Sequence, residues 1–312
     1  MARGLRGRAS SVKRADLIID VGMHRGEDSE FYLAKGFDVV AIEANPSLVV
    51  EVRTRLAGEV QEGRLRIIEG AVARTTEPQR LSVAEDVSVW SSLSNEFIER
   101  NEAVGTVYRH IDVPGIRFED VLEEVGIPYY LKIDIEGHDM LCVEALHRFE
   151  ERPDYISIES NVSVNDAPFE RVFDELAQLW TLGYRGFKYL NQTANPDCRC
   201  PNPPREGSYV DATFNADSSG PFGEETPQSW LSIDQALVRA QQLRLRHRMG
   251  RIGRRSAAGL PARAHSLWSS ALRADGWYDL HARQPSAGGR PILYSSRSWF
   301  GSRPARMSRV GL

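Results

Sequence analysis

Short apolar runs alternate with stretches of helical periodicity from residue 16 to residue 190. Residues 17–21 (Leu-Ile-Ile-Asp-Val) form the kind of run that a strand buried on both faces requires, and it leads straight into a glycine turn. Residues 29–35 then predict a helix closed by Gly36, and 38–43 a second strand. Pro46 opens the next helix, which runs to about residue 57, and 65–69 predicts a third strand. Farther on, 118–125, 140–147 and 169–182 read as helices, and 130–135, 155–159 and 187–190 as the fourth, fifth and sixth core strands. Between 74 and 115 the pattern is less regular. Residues 80–84 read there as an added strand and 91–94 as loop. Strands alternating with helices in this way predict an α/β, Rossmann-like fold, a parallel sheet with helices on both faces.

After residue 190 the texture changes. Residues 191–227 are rich in Pro, Asn, Gly and Ser, as loops are. Within 228–249, Trp230, Ile233, Leu237, Ala240 and Leu243 recur near helical spacing, and 277–282 again reads as a strand. The expected organisation is a basic N-terminal tail (1–14), a cofactor-binding core (15–190), a C-terminal insertion or lid of loop and helix (191–276), a last core strand (277–283) and a flexible basic tail (284–312). A structureless segment of some 86 residues is unusual in a compact domain, which favours a lid over a plain loop.

Charge sharpens this division. The net charge is −4, yet residues 1–14 hold Arg3, Arg6, Arg8, Lys13 and Arg14 without an acid. From 241 onward fourteen arginines face only Asp275 and Asp279, so the middle of the chain is strongly acidic. No basic–aromatic nucleic-acid module accompanies the basic ends, so no specific nucleic-acid partner is expected. No run of 18 apolar residues is present, which argues against a membrane-spanning helix, and the basic start lacks the apolar run of a secretory signal. A cytoplasmic location is the expectation. The three cysteines, Cys142, Cys198 and Cys200, are too few for a disulfide framework, and the C-x-C pair alone does not complete a zinc site. No resident metal is expected from them.

Candidate chemistry gathers at strand ends. Asp20-Val21-Gly22-Met23-His24-Arg25-Gly26-Glu27 follows a strand and precedes a helix. Glu43 ends the next strand, 21 residues after Gly22, where a carboxylate can accept hydrogen bonds from both ribose hydroxyls of an adenosine. The glycine spacing is G-x-x-x-G, not the G-x-G-x-x-G that a pyrophosphate requires. This disfavours a nicotinamide-dependent dehydrogenase, and Asp20 suits a cationic methionine moiety. Asp134, Glu136 and His138 cluster at the end of the fourth strand, where open α/β sheets bind ligands, and Asp139 reads as a helix cap. Glu159-Ser160-Asn161 ends the fifth strand at the same edge.

Asp20-Val-Gly-(x)3-Gly-Glu, Glu43-Ala-Asn45-Pro46, Ser91-Ser92-Leu93 and Lys132-Ile-Asp-Ile-Glu-Gly, in this order and spacing, resemble the FkbM family of methyltransferases over about residues 16–190. The resemblance implies a class I methyltransferase sheet, S-adenosyl-L-methionine as cofactor, and O-methylation of a small-molecule or glycan acceptor such as a sugar or natural product. The family's first motif commonly reads Gly-Ala-Asn-x-Gly, whereas Met23 and His24 stand here after Gly22. Asp20, Gly22, Gly26, Glu43, Asn45 and Ala71 are the expected cofactor-binding positions. Asp134, Glu136 and His138 are the expected catalytic ones, with one of them acting either as a general base or as ligand to a divalent ion. A non-catalytic, nucleic-acid-binding Rossmann protein is the alternative outside enzymes, disfavoured by the intact acids and glycines.

Overall fold

Leu17, Ile19 and Val21 point to one side of their strand and Ile18 to the other, and all four are fully buried, so the unbroken apolar run reflects a sheet covered on both faces. The structure, a computed structural model, describes residues 12–84, 92–94, 98–99, 102, 105–164, 167–215, 218–257, 276–285 and 287. Its centre is a seven-stranded sheet in the order β10-β11-β9-β8-β1-β2-β3. The strands are β1 (Lys13–Val21), β2 (Asp38–Glu43), β3 (Leu65–Glu69), β8 (Ile127–Ile133), β9 (Tyr155–Ser160), β10 (Gly186–Asn191) and β11 (Tyr278–Arg283). β3, β2, β1, β8 and β9 run parallel, while β11 is antiparallel to both β9 and β10. The strand order reverses between β1 and β8. In open sheets of this kind the crevice at the carboxyl ends of such a pair is where ligands sit.

Helices α4 (Phe118–Val125), α5 (Asp139–Leu146), α6 (Phe169–Thr181) and α7 (Ile233–Ala257) pack on the face carrying Leu17, Ile19, Leu131 and Ile156. Helices α1 (Glu27–Ala34) and α2 (Pro46–Arg55), followed by the short α3 (Ala57–Gln61), lie beside the face carrying Ile18, Val39 and Tyr130. The second face is completed by residues 198–230. Phe222, fully buried, stacks on Tyr130 with ring centroids 4.9 Å apart and meets Tyr32 edge-on at 5.3 Å. A fully buried ion pair, Lys35 to Glu225 at 2.8 Å, fastens the same segment to α1. This stretch belongs to the segment expected as an insertion or lid. Its described residues instead cover the sheet, and none of them lines the cavity at the strand ends. Its large apolar residues, Phe214, Phe222 and Trp230, are too widely spaced to give a periodic signal.

Two further differences have physical reasons. β1 begins at Lys13, inside the segment expected as a tail, because acids neutralise its first residues. Lys13 pairs with Asp154 at 2.8 Å, and Arg14 pairs with Asp38 at 2.9 Å. The pattern at 108–113 reads as irregular, yet β6 (Tyr108–Val113) pairs antiparallel with β5 (Gln79–Ala84). Of β6 only Val113 is buried, so the ladder to β5, a 2.9 Å bond between Ser82 and His110 and the packing of Ile111 hold a strand with little apolar pattern. Two short strands, β4 (Ala71–Val72) and β7 (Gly115–Ile116), tie this hairpin's base to the core. The remainder of the C-terminal tail beyond 287 lies outside the described residues. Among the described residues no helix is long and apolar enough to cross a membrane.

Candidate active site

The β1–α1 turn closes against the end of β8. Gly22 has φ +84°, and a Cβ there would collide with the Asp134 carbonyl oxygen. Only glycine therefore lets the two strand ends meet. His24 also lies in the left-handed region, with φ +52°, and its N–H donates to Glu43 Oε2 at 2.8 Å. The N–H of Asn45 donates to Glu43 Oε1, also at 2.8 Å. Glu43 thus holds the first two strand-to-helix turns in register while its carboxylate faces the cavity. Burial raises its pKa, and the two N–H bonds oppose that rise.

That cavity is lined by the apolar side chains of Ile42, Leu48, Val72, Leu81 and Leu93 and by the polar ones of Glu27, Asp28, Lys132, Asp134, Glu136 and His138. Gly22, Glu43 and Ala71 also line it. Leu81 comes from the β5–β6 hairpin, and Leu93 from a stretch anchored to it, since Ser92 exchanges both backbone hydrogen bonds with Ser82. Ser92 Oγ also donates to the Glu136 carbonyl at 2.7 Å, steadying a loop in which Glu136 has φ +50°. A left-handed glutamate is costly, and such strain is found at functional sites.

Part of the polar lining belongs to a buried charge cluster. The Lys132 ammonium, 4% exposed, donates to the Gly22 carbonyl at 3.0 Å. It stands 3.2 Å from Asp20, 3.5 Å from Asp28 and 3.8 Å from Asp134. Burial opposes its charge, but the carboxylates outweigh burial and hold its pKa well above the usual value. Burial pushes Asp28 up to about 6 against the pull of Lys132, and Asp28 also accepts the Ser219 N–H at 2.8 Å. The covering segment is thereby pinned beside the site. On β11, burial together with the charges of Asp134 and Glu159 raises Asp279 well above the ordinary carboxylate range. Burial lowers His138, which lines both this cavity and a wider depression next to it.

A family model described as the methyltransferase FkbM domain matches residues 20–189, more than half of the chain. The chain belongs to the FkbM methyltransferase family. S-adenosyl-L-methionine is the cofactor of this family. A ribosomal RNA small subunit methyltransferase of Arabidopsis thaliana is 30% identical over 70 residues, which is 22% of this chain and 20% of the relative. The chain therefore spans about a fifth of that relative's length. Among solved structures, an FkbM methyltransferase from Methylobacillus flagellatus is similar at 15% identity and a TM-score of 0.36, over 61% of this chain and 42% of that one. An S-adenosylmethionine-dependent methyltransferase from Archaeoglobus fulgidus covers 86% of each chain at 11% identity and a TM-score of 0.36.

Within this FkbM domain the structure sorts the expected site residues. Gly22, Glu43, Ala71, Asp134, Glu136 and His138 all line the one cavity. Three others do not. Asp20 is fully buried below it, with its carboxylate taken up by Ser29 Oγ at 2.6 Å and by Lys132. It is the penultimate residue of β1, in a sheet covered on both faces, and does not line the cavity. Gly26 is the N-cap of α1, packed toward Val52, and Asn45 caps α2 by accepting the Ser47 N–H at 3.1 Å. Asp28, Lys132 and Asp279 carry the site's electrostatics without having been expected to. An acid in the otherwise apolar alternation of 277–282 was the available signal for Asp279.

Asp139, 6% exposed at the start of α5, accepts backbone N–H bonds from Glu159 and Gly137. Burial and the nearby Asp134 charge nevertheless push its pKa up to about 7 from 3.8. A carboxyl with a raised folded-state pKa contributes stability that is complete below pH 3.8 and lost as pH rises through 7. Asn keeps an acceptor for those N–H groups and carries no charge. Asp139→Asn is therefore expected to leave stability nearly unchanged at pH 3.5 and to raise it by roughly 1–4 kcal/mol at pH 8. Urea denaturation at the two pH values checks this, and equal effects at both would sink it.

Proposed function

We propose that this protein methylates a hydroxyl group of a sugar, glycan or natural product, with S-adenosyl-L-methionine bound in the strand-end cavity. One observation carries the reading: the carboxylates of Asp134 and Glu136 line a cavity that also holds apolar side chains, and the Glu159 carboxylate gathers with them. The residues fit the cofactor. The apolar side chains of Leu48, Leu81 and Leu93 suit a purine, and the fixed Glu43 carboxylate suits two ribose hydroxyls. The excess of acids over the single Lys132 suits a cationic sulfonium. When bound, the cofactor supplies an electrophilic methyl group, whose bonding electron pair leaves with sulfur.

The chain's own residues have two tasks. The walls hold the acceptor oxygen in line with that methyl, which replaces a bimolecular encounter by a positioned one. A carboxylate of the cluster takes the hydroxyl proton as the new C–O bond forms. His138, kept neutral by burial and facing both cavities, is the second acceptor for that proton. The adjoining depression, lined by Arg74, Gln79, Ser82 and His110, is where the rest of the acceptor lies. A cytoplasmic location accords with the three free cysteines.

Calorimetry with S-adenosylmethionine, S-adenosylhomocysteine and NAD in parallel tests the cofactor assignment, and transfer of labelled methyl to sugar, polyol and RNA panels tests the acceptor class. Tight NAD binding, or methyl transfer to RNA alone, would overturn the proposal. Glu43→Ala removes a charge-assisted ribose contact of about 1.5–3 kcal/mol. Its dissociation constant for S-adenosylmethionine is expected to rise roughly ten- to a hundredfold. An unchanged constant in a variant with a native circular dichroism spectrum refutes the role.

A further inference from the structure

Helix α7 buries one face, on which Ala236, Ala240, Leu243 and His247 recur at steps of four and three. At about 100° per residue, the crest opposite that face passes through Val238, Leu245 and Met249. These are 53%, 58% and 49% exposed. Single exposed apolar side chains are ordinary, but three in line on the crest of one helix are not. Arginines border the crest on both flanks, Arg239 and Arg246 on one side and Arg244 and Arg248 on the other. The helix carries seven arginines against one acid, Asp234 in its first turn, in a chain whose net charge is −4. Beside the crest runs a groove, lined by Arg244, Leu245 and Arg248 of α7 and by Pro168 and Phe169 where α6 begins. The Arg244 guanidinium lies over the Phe169 ring, 5.7 Å from its centre, and donates to the Ala167 carbonyl. Among the described residues its Nη1 has no hydrogen-bond partner. A phosphate in the groove would satisfy it after a small side-chain shift, with Arg248 on the same groove as a second donor.

We infer that this face of α7 docks on an anionic lipid bilayer, with Val238, Leu245 and Met249 at the acyl boundary and the flanking arginines against headgroup phosphates. An amphipathic helix that lies in the interface has this cross-section, and the long arginine stems let the charges stay at headgroup level while the crest sinks. Other occupants answer only one of the two features. A nucleic acid offers phosphates but no apolar layer for the crest to enter. A second copy meeting through the same crest sets arginine flanks against arginine flanks, since a two-fold contact uses one patch on both partners. An anionic bilayer supplies both the apolar layer and the complementary charge. The binding is peripheral and needs no spanning helix, and it does not depend on the proposed methyl transfer.

The test is cosedimentation of the full chain with phosphatidylglycerol-containing vesicles and with pure phosphatidylcholine vesicles at physiological salt. Binding to the anionic vesicles alone is expected, weakening as salt rises. Arg246→Gln combined with Arg248→Gln should lower the partition coefficient about thirtyfold, since each arginine near such a surface is worth roughly fivefold. Leu245→Gln combined with Met249→Gln should lower it about tenfold at unchanged charge. Arg64→Gln combined with Arg66→Gln, beside and within β3 at the far edge of the sheet, should leave it within about twofold of the wild type. All four α7 side chains are exposed, so these variants should keep a native circular dichroism spectrum. The arginine-rich ends of the chain are the same in every variant, so the apolar pair decides the matter. Unchanged vesicle binding in Leu245→Gln/Met249→Gln overturns the inference. So does a wild-type chain that ignores anionic vesicles, whether or not it binds RNA at the same salt, or that binds neutral vesicles equally well. A lipid-free dimer that the apolar pair of substitutions dissociates also overturns it, because the crest is then covered by a second copy.

Discussion

Lys132→Met is expected to destabilise the protein by about 3–5 kcal/mol, the cost of removing one partner from a buried ion pair. Lys132 is the cation that Asp20 and Asp28 share, and neither acid is more than 4% exposed. Methionine fills most of the volume but leaves two carboxylates without compensation. The same ammonium also satisfies the Gly22 carbonyl, so its loss loosens the turn that lines the strand-end cavity. The midpoint of urea unfolding should therefore fall, with little change in its slope. Lys13→Met is the control, because its pair with Asp154 is more exposed and should be worth less than about 1 kcal/mol. Adding Asp28→Asn to Lys132→Met should recover part of the loss, since the Asn oxygen can still accept the Ser219 N–H. A single-variant loss below about 1 kcal/mol would mean that the cluster relaxes or admits water.

That cluster marks the boundary of what the sequence reveals. The strands at 38–43 and 65–69, and the helix at 118–125, agree with the structure to the residue, because burial on known faces writes a strong local pattern. The glycine turn and Glu43 are legible for the same reason: backbone geometry dictates the residue type. Asp20 misleads because its neighbours are identical whether it points into a ligand site or into the sheet. Its partner, Lys132, lies 112 positions away, and only the parallel register of β1 and β8 brings them together. Residues 198–230 mislead in another way. They bury single aromatic side chains against Tyr32 and Tyr130 with no repeating period, so a covering layer looks like a loop. Asp279 depends on both effects, since its surroundings exist only once β11 has been inserted between β9 and β10.

Asp134→Asn and Glu136→Gln are each expected to lower turnover by a factor of about 100 to 10,000 while leaving cofactor affinity within a few-fold of the wild type. In activation free energy this is roughly 3–5.5 kcal/mol. Proton removal is the difficult part of alkylating a sugar hydroxyl at neutral pH, and both residues lie where β8 opens into the cavity. Asp134 is 44% exposed at its side chain, so the change to Asn should not disturb folding, and a loss of rate can be read as chemistry. Glu136 is held by its left-handed backbone and by the Ser92 bond to its carbonyl, neither of which depends on its carboxylate. Gln can adopt the same position and cannot take the proton. Single-turnover methyl transfer with saturating cofactor separates the two quantities, because it isolates the chemical step from binding. The two losses should not add in the double variant, since the carboxylates act on one proton or one ion together. Wild-type single-turnover rates in both variants would make these acids structural, and the catalytic group would then have to be sought at Glu159 or His138.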